Sequence, residues 1–312
     1  MAIVLGPNRY GKAETRLVSV TRDGETHALT DLNVSVSLSG DLAATHLTGD
    51  NAGVLPTDTM KNTVYAFAKE HGVGEPEEFA LLLARHFVTT QPQIQTAQIR
   101  IEAYGWDRLG PHSFRRRGDH IRLAAVTVTA EQEQVVSGVT GLTLLNSTAS
   151  EFHGYPKDKY TTLPETRDRI LATAVDARWR HLAPVGGFSG PSGASGTGVG
   201  SAGGGGRSGG TRDWAESFEG ALEALTSAFV NTYSHSLQQT LFSMGSYMLS
   251  QRPEIAEIRL ALPNKHHYLV DLSPFGLSND NEVFLAGDRP YGLIEGTVSR
   301  DDAPPASAEW YL

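Results

Sequence analysis

The chain has 312 residues, of which 39% are hydrophobic and 20% charged, with a formal net charge of -9 and no cysteine. That length and balance describe a soluble globular protein able to bury a substantial core, and at about 100 to 200 residues per domain they suggest two domains. An acidic balance argues against a nucleic-acid scaffold, which needs clustered Lys and Arg, and the lack of cysteine excludes disulfides, thiolate zinc sites and cysteine nucleophiles. The short basic run Arg115-Arg116-Arg117 reads as a solvated turn. Ala2-Ile3-Val4-Leu5 before Gly6-Pro7 is too short for a secretory apolar region, and no apolar run reaches the ~18 residues of a membrane span. The ending Glu309-Trp310-Tyr311-Leu312 lacks the peroxisomal Ser-Lys-Leu address, so a cytoplasmic location is expected.

In chain order, Leu17-Val18-Ser19-Val20 leads to Asp23-Gly24, and Leu32, Val34, Val36 and Leu38 alternate on the return, a hairpin pattern. Met60, Val64, Phe67 and Ala68 have helical spacing behind the possible caps Thr57, Asp58 and Thr59, and Pro76 opens a second helix with Phe79, Leu82, Leu83 and Phe87 on one face. A strand pair is expected around Ile99-Arg100-Ile101 and Tyr104. The second half repeats the order: a strand with Ile121, Leu123, Val126 and Val128, a return at Gly141-Leu142-Thr143-Leu144-Leu145, a helix near Arg167 to Ala174, and a long helical region from Trp214 to Arg252 that Ser234-His235-Ser236 interrupts. Between Pro184 and Arg212 the chain is nearly all Gly, Ser and small residues, which bury too little apolar surface to offset their conformational entropy, so a flexible insertion at about 184–212 is expected. Its Gly203-Gly204-Gly205-Gly206 lacks the ending of a phosphate-binding loop.

Near the end, Ile258, Leu260 and Leu262 alternate with polar neighbours and Tyr268, Val270 and Leu272 alternate again, with Pro263-Asn264-Lys265-His266-His267 between them. That polar break reads as a hairpin corner or bulge. Metal binding by His266-His267 is disfavoured, because adjacent strand residues point to opposite faces. Two echoes, Leu55-Pro56-Thr57-Asp58-Thr59 with Leu163-Pro164-Glu165-Thr166, and Pro92-Gln93-Ile94 with Pro253-Glu254-Ile255, suggest a duplicated α+β unit.

Arg9-Tyr10-Gly11-Lys12, Thr57-Asp58-Thr59-Met60-Lys61-Asn62-Thr63, Tyr160-Thr161-Thr162-Leu163-Pro164-Glu165-Thr166-Arg167-Asp168-Arg169, Ser236-Leu237-Gln238-Gln239-Thr240 and Leu262-Pro263-Asn264-Lys265-His266-His267, in this order, resemble the urate oxidase (uricase) family over nearly the whole chain. The glycine-rich stretch is longer than that family's connection. The resemblance implies two tandem tunnelling-fold domains, 1–118 and 119–312, each an antiparallel sheet with helices on one face. It also implies a homotetramer whose sheets close into a β-barrel tunnel and whose sites lie at subunit interfaces. It implies oxidation of urate by O2 and water to 5-hydroxyisourate and H2O2, with no metal or organic cofactor, in purine catabolism.

By the same resemblance Phe152 is the stacking platform, Arg169 the bidentate partner of one ring edge, Gln238 the partner of the opposite edge, and Leu237, Thr57 and Asp58 supply edge contacts. Lys12 is the general base relayed through Thr57 and assisted by His266, and Asn264 holds oxygen or the attacking water. Each residue taken alone has a plainer reading: core packing for Phe152, a helix cap for Thr57, a solvated side chain for Lys12, Arg169, Gln238 or His266. The chemistry nevertheless suits a flat anion, since arginine presents planar donors to two acceptors, glutamine both donates and accepts, and a lysine can act as base when burial lowers its pKa. Two alternatives remain: a pterin or deazapurine enzyme of the same fold, which the absence of cysteine disfavours, and a non-catalytic purine-binding protein, which would not need Lys12, Thr57 and His266.

Overall fold

The alternating residues at the start of the chain form a long hairpin in a computed structural model that describes residues 1–182 and 212–306. Strands β1 (Tyr10–Asp23) and β2 (Thr26–Gly40) pair antiparallel, closed by Gly24 at φ 60°, a left-handed conformation that costs glycine little. Helices α1 (Ala43–Thr48), α2 (Thr57–Glu70) and α3 (Pro76–Thr90) follow. Pro76 starts α3 with its φ already helical, and Glu77 and Glu78 place negative charge in its first turn, where the helix dipole favours it. Strand β3 (Ile94–Ala103) returns antiparallel to β2, β4 (Trp106–Arg108) and β5 (Phe114–Arg116) form a separate ribbon, and β6 (Ile121–Val128) lies beside β3.

The remaining elements are β7 (Glu133–Asn146), β8 (Leu171–His181), α4 (Trp214–Asn231), α5 (Leu237–Gln251), β9 (Ile255–Leu269) and β10 (Phe284–Ser299). The described residues divide into two compact units, 1–116 with 123–137, 181–182 and 212–217, and 117–122 with 138–180 and 218–306. In the first, α2 packs on β1 and α3 on β3, and the core joins Val34, Val36 and Leu38 of β2 to Met60 and Val64 of α2 and to Phe79, Leu83 and Phe87 of α3. In the second, the strand order is β7-β8-β9-β10, α5 packs on β9 and β10, and Ile258, Leu260 and Leu262 meet Leu241, Met244 and Met248. Sheets with helices packed on them make the α+β class a finding. Burying a large side chain of this kind contributes about 1.5 to 3 kcal/mol, so these two interiors hold the scaffold that carries the sites.

Three elements differ from the expectation. No helix forms near Arg167 to Ala174; β8 starts at Leu171, and Leu171, Ala172 and Thr173 are all buried, so both faces of the strand are covered there. The helical region from Trp214 to Arg252 is interrupted where expected, between Asn231 and Leu237, with Ser236 capping α5 by accepting from the Gln239 backbone N–H. Ala124, Val126 and Val128 of β6 belong to the first core, so β6 packs with the first unit instead of opening the second. Finally, the polar stretch Pro263 to His267 is no corner: β9 runs through it unbroken, and the irregularity falls on its partner, between Gly287 and Gly292 of β10. The expected insertion at 184–212, apart from Arg212, and the ending Glu309 to Leu312 lie outside the described residues.

Candidate functional site

In the first unit the site residues gather where β1 meets the start of α2. Lys12 stands opposite Val36 and Thr15 opposite Val34, so two residues of β1, Ala13 and Glu14, stand against one of β2, Ser35. The extra residue is accommodated as a bulge with Glu14 at φ 57°. A regular strand would place residues 12 and 15 on opposite faces. With the bulge both face the same way as buried Val34 and Val36, towards the helices, and Lys12 is half-buried at the end of that core face. Gly11 makes this possible, since a Cβ there would lie 1.9 Å from the Val36 carbonyl oxygen.

Thr57 and Asp58 are the first two residues of α2. The loop leading to them is fixed by Tyr10, whose hydroxyl donates to the Leu55 carbonyl at 3.1 Å and whose burial pushes its pKa up. The Asp58 carboxyl is held below its ordinary range chiefly by the hydrogen bond and charge of Lys61, with a smaller contribution from the charge of Lys12. Lys12 therefore lies within electrostatic reach of the α2 start, on the same side of the sheet. Thr57 is half-buried and Asp58 exposed. The dipole of α2 places positive potential at these backbone N–H groups, a suitable environment for an anion's edge.

In the second unit three segments are laced together by backbone hydrogen bonds. Phe152 and Thr166 exchange N–H to carbonyl bonds at 2.9 and 3.1 Å, the Arg169 N–H donates to the Ser150 carbonyl at 2.9 Å, and the Glu151 N–H donates to the Ser234 carbonyl at 2.8 Å. Ser150 and Ser234 are fully buried at the crossing, and the Ser234 hydroxyl accepts from Thr240 at 2.8 Å. The result sets Phe152, Arg169 and the first turn of α5, which carries Leu237 and Gln238, side by side. Leu237 is buried, whereas Gln238 is exposed.

Arg169 is the telling group. Its Nε donates to the Ser150 hydroxyl at 3.2 Å, and its guanidinium carbon lies 5.3 Å from the centre of the Phe152 ring. Burial draws its pKa down, and among the described residues it has no carboxylate partner. A partly desolvated cation with two free terminal nitrogens beside an aromatic ring is an arrangement that a planar anion would complete. Phe152 is itself braced by Tyr155, stacked at 4.9 Å and 16°.

Asn264 and His266 lie two apart on β9, on the face that continues Ile258, Leu260 and Leu262, so the helix-facing side turns from apolar to polar where the core ends. Asn264 stands opposite Gly292 and His266 opposite Gly287. His266 has the Tyr268 ring at 5.8 Å, and among the described residues no hydrogen bond or ring contact joins Asn264 or His266 to Phe152 or Arg169. Sequence reasoning missed Tyr10, Ser150, Glu151 and Ser234. Tyr10 lies inside the opening motif and could have been suspected, but nothing in local spacing marks a serine as the crossing point of three segments. Among the described residues no group of three or more His, Cys, Asp or Glu is placed to hold a metal ion, and no helix is long and apolar enough to cross a membrane.

Comparison with known proteins gives a consistent result. The Uricase family model matches residues 8–129 and 135–295. A uricase from Arthrobacter globiformis is 45% identical over 310 residues, covering 99% of this chain and 94% of the relative, and one from Dictyostelium discoideum is 34% identical, covering 94% and 96%. The crystal structure of the Arthrobacter globiformis uricase superposes with a TM-score of 0.89 at 44% identity over 100% of both chains. A uricase from Bacillus fastidious shares the fold, with a TM-score of 0.73 at 19% identity and 96% coverage of both.

Proposed function

The chain belongs to the uricase family, and from that membership we propose that it is a urate oxidase, converting urate, O2 and water to 5-hydroxyisourate and H2O2. The observation that carries the reading is Arg169, a half-buried cation lacking a carboxylate partner among the described residues and lying 5.3 Å from the Phe152 ring centre. Phe152 stacks on the purine, the two terminal nitrogens of Arg169 hold acceptors on one edge, and Gln238 with the Leu237 backbone takes the other. Lys12 accepts a proton from urate through the Thr57 hydroxyl, with His266 assisting. Proton removal raises the electron density of the ring, which then gives two electrons to O2 without metal or organic cofactor. Asn264 holds the oxygen, and later the water whose oxygen is added to the ring.

Lys12, Thr57 and Asp58 come from the first unit and the remaining residues from the second. We place each complete site at an interface where the first domain of one subunit meets the second domain of another, in a cytoplasmic homotetramer whose sheets close into a tunnel. Exposed apolar side chains on and beside β9 and β10, among them Tyr268, Leu269, Leu285 and Leu293, support burial of that edge in an assembly. The test follows urate absorbance and oxygen uptake together after metal chelation. Unchanged turnover with equal consumption of urate and O2 is expected. Urate binding without oxygen uptake would establish a silent purine-binding protein instead.

A further inference from the structure

Beside the stacking ring lies a polar cluster that the proposed chemistry does not use. Glu151 precedes Phe152 and is only 9% exposed. Its carboxylate faces the His235 Nδ1 at 2.6 Å and the His153 Nε2 at 3.1 Å through one oxygen, and accepts from the Tyr233 hydroxyl at 3.1 Å through the other. Its backbone N–H is bound to the Ser234 carbonyl. Three side chains and one main-chain bond therefore converge on the residue next to the platform, and all but His153 come from the segment that enters α5. A buried carboxylate is tolerated only when its oxygens are satisfied, and these donors satisfy it. His235 holds the Glu151 carboxyl below its ordinary range, with Tyr233 and His153 adding to the effect.

The consequence concerns spacing. Phe152 and Gln238 lie on different segments, and a planar ligand held by both needs their separation kept to a fraction of an ångström. We propose that Glu151 is a positioning residue for the purine site, clamping the Phe152 segment to the 233–235 segment so that platform and α5 first turn keep a fixed distance. This rests on the urate reading for the identity of the ligand. His235, whose side chain is 65% accessible, is the exposed end of the clamp, and Glu151 is its buried end. His153 adds a second contact state, because its Nε2 also lies 3.2 Å from Arg167 Nη1 and one ring nitrogen cannot donate to Glu151 and accept from Arg167 at once.

The experiment compares the full-length wild type with Glu151→Ala, Glu151→Gln, His235→Ala and the double variant Glu151→Ala with His235→Ala. Urate KM and kcat are measured, with calorimetric affinity for 8-azaxanthine and thermal midpoints. Glu151→Ala should raise KM and the analogue Kd by about tenfold while kcat moves by less than about threefold, the signature of lost binding geometry. Glu151→Gln, which keeps the size and one acceptor, should restore most of the affinity. The double variant should be no weaker than Glu151→Ala, since both substitutions break one clamp. Wild-type KM and Kd in Glu151→Ala, or multiplying effects in the double variant, would overturn the assignment. Should Glu151→Ala not fold, His235→Ala decides: a several-fold weaker analogue Kd supports the clamp and an unchanged one refutes it. Wild-type protein that binds the analogue without consuming oxygen would sink the urate oxidase reading, yet the Kd comparison would still decide the role of Glu151.

Discussion

Replacing Arg169 by lysine keeps the charge and removes the fork, which separates electrostatic attraction from geometry. In the structure one of the three guanidinium nitrogens, Nε, is committed to the Ser150 hydroxyl at 3.2 Å, so two remain for a ligand. A lysine ammonium reaching the same place cannot hold Ser150 and two ligand acceptors in one plane. At least one charge-assisted hydrogen bond is lost, worth about 1.5 to 3 kcal/mol, and the altered contact with Phe152 adds about 0.5 to 1 kcal/mol. Together these come to roughly 2 to 4 kcal/mol, or about 30- to 1000-fold in affinity at about 1.4 kcal/mol per decade. Calorimetric titration of wild type and Arg169→Lys with 8-azaxanthine, with thermal midpoints as the control for folding, measures this directly. A change of less than about threefold, with both proteins folded, would show that Arg169 acts as a point charge or not at all, and the planar fork would have to be abandoned.

Three further outcomes are expected. Lys12→Met should lower kcat by about 10² to 10⁴ fold while leaving analogue affinity nearly unchanged, read by steady-state kinetics alongside calorimetry, because general-base catalysis is lost and binding is not. Gly11→Ala forces backbone to separate where a Cβ would lie 1.9 Å from the Val36 oxygen, so the thermal midpoint should fall and kcat drop with it as Lys12 is displaced; a wild-type midpoint would contradict the bulge geometry. Glu151 has a folded pKa below its unfolded value, so its contribution to stability is full above the ordinary carboxylate pKa and disappears as pH falls through the lower folded value. Thermal midpoints measured from about pH 6 to about pH 3 should therefore decline less steeply in Glu151→Gln than in wild type.

Much of this architecture can be read from residue order. Asp23-Gly24 between alternating residues specifies the first hairpin, and Pro76 with the spacing of Phe79, Leu83 and Phe87 specifies α3, because turn chemistry and helical period are local. The misreadings share one cause. Leu171 to Val175 has no helical stripe or one-faced strand alternation of its own, since Leu171, Ala172 and Thr173 are all buried, and only contacts distant in sequence decide the matter. In the same way, the polar stretch at Asn264 and His266 looks like a break because polarity changes along it, while the backbone irregularity sits in residues 287–292, distant in sequence. The bulge at Glu14 that turns Lys12 inward has no compositional mark, and the Ser150 and Ser234 crossing joins residues 84 positions apart. The resemblance implies roles for Phe152, Arg169, Leu237 and Gln238, and the hydrogen bonds at Ser150 and Ser234 tie together the segments that carry them.

The central claim is that a planar purine anion bridges two subunits, with Lys12 and Thr57 on one side and Phe152, Arg169 and Gln238 on the other. A crystal structure of the assembled protein with 8-azaxanthine tests it most directly. The account predicts the ligand stacked on Phe152, its edges on Arg169 and Gln238, and the Lys12 ammonium and Thr57 hydroxyl of a neighbouring subunit turned towards it. An empty interface, or a Lys12 side chain directed into bulk solvent in the oligomer, would contradict it.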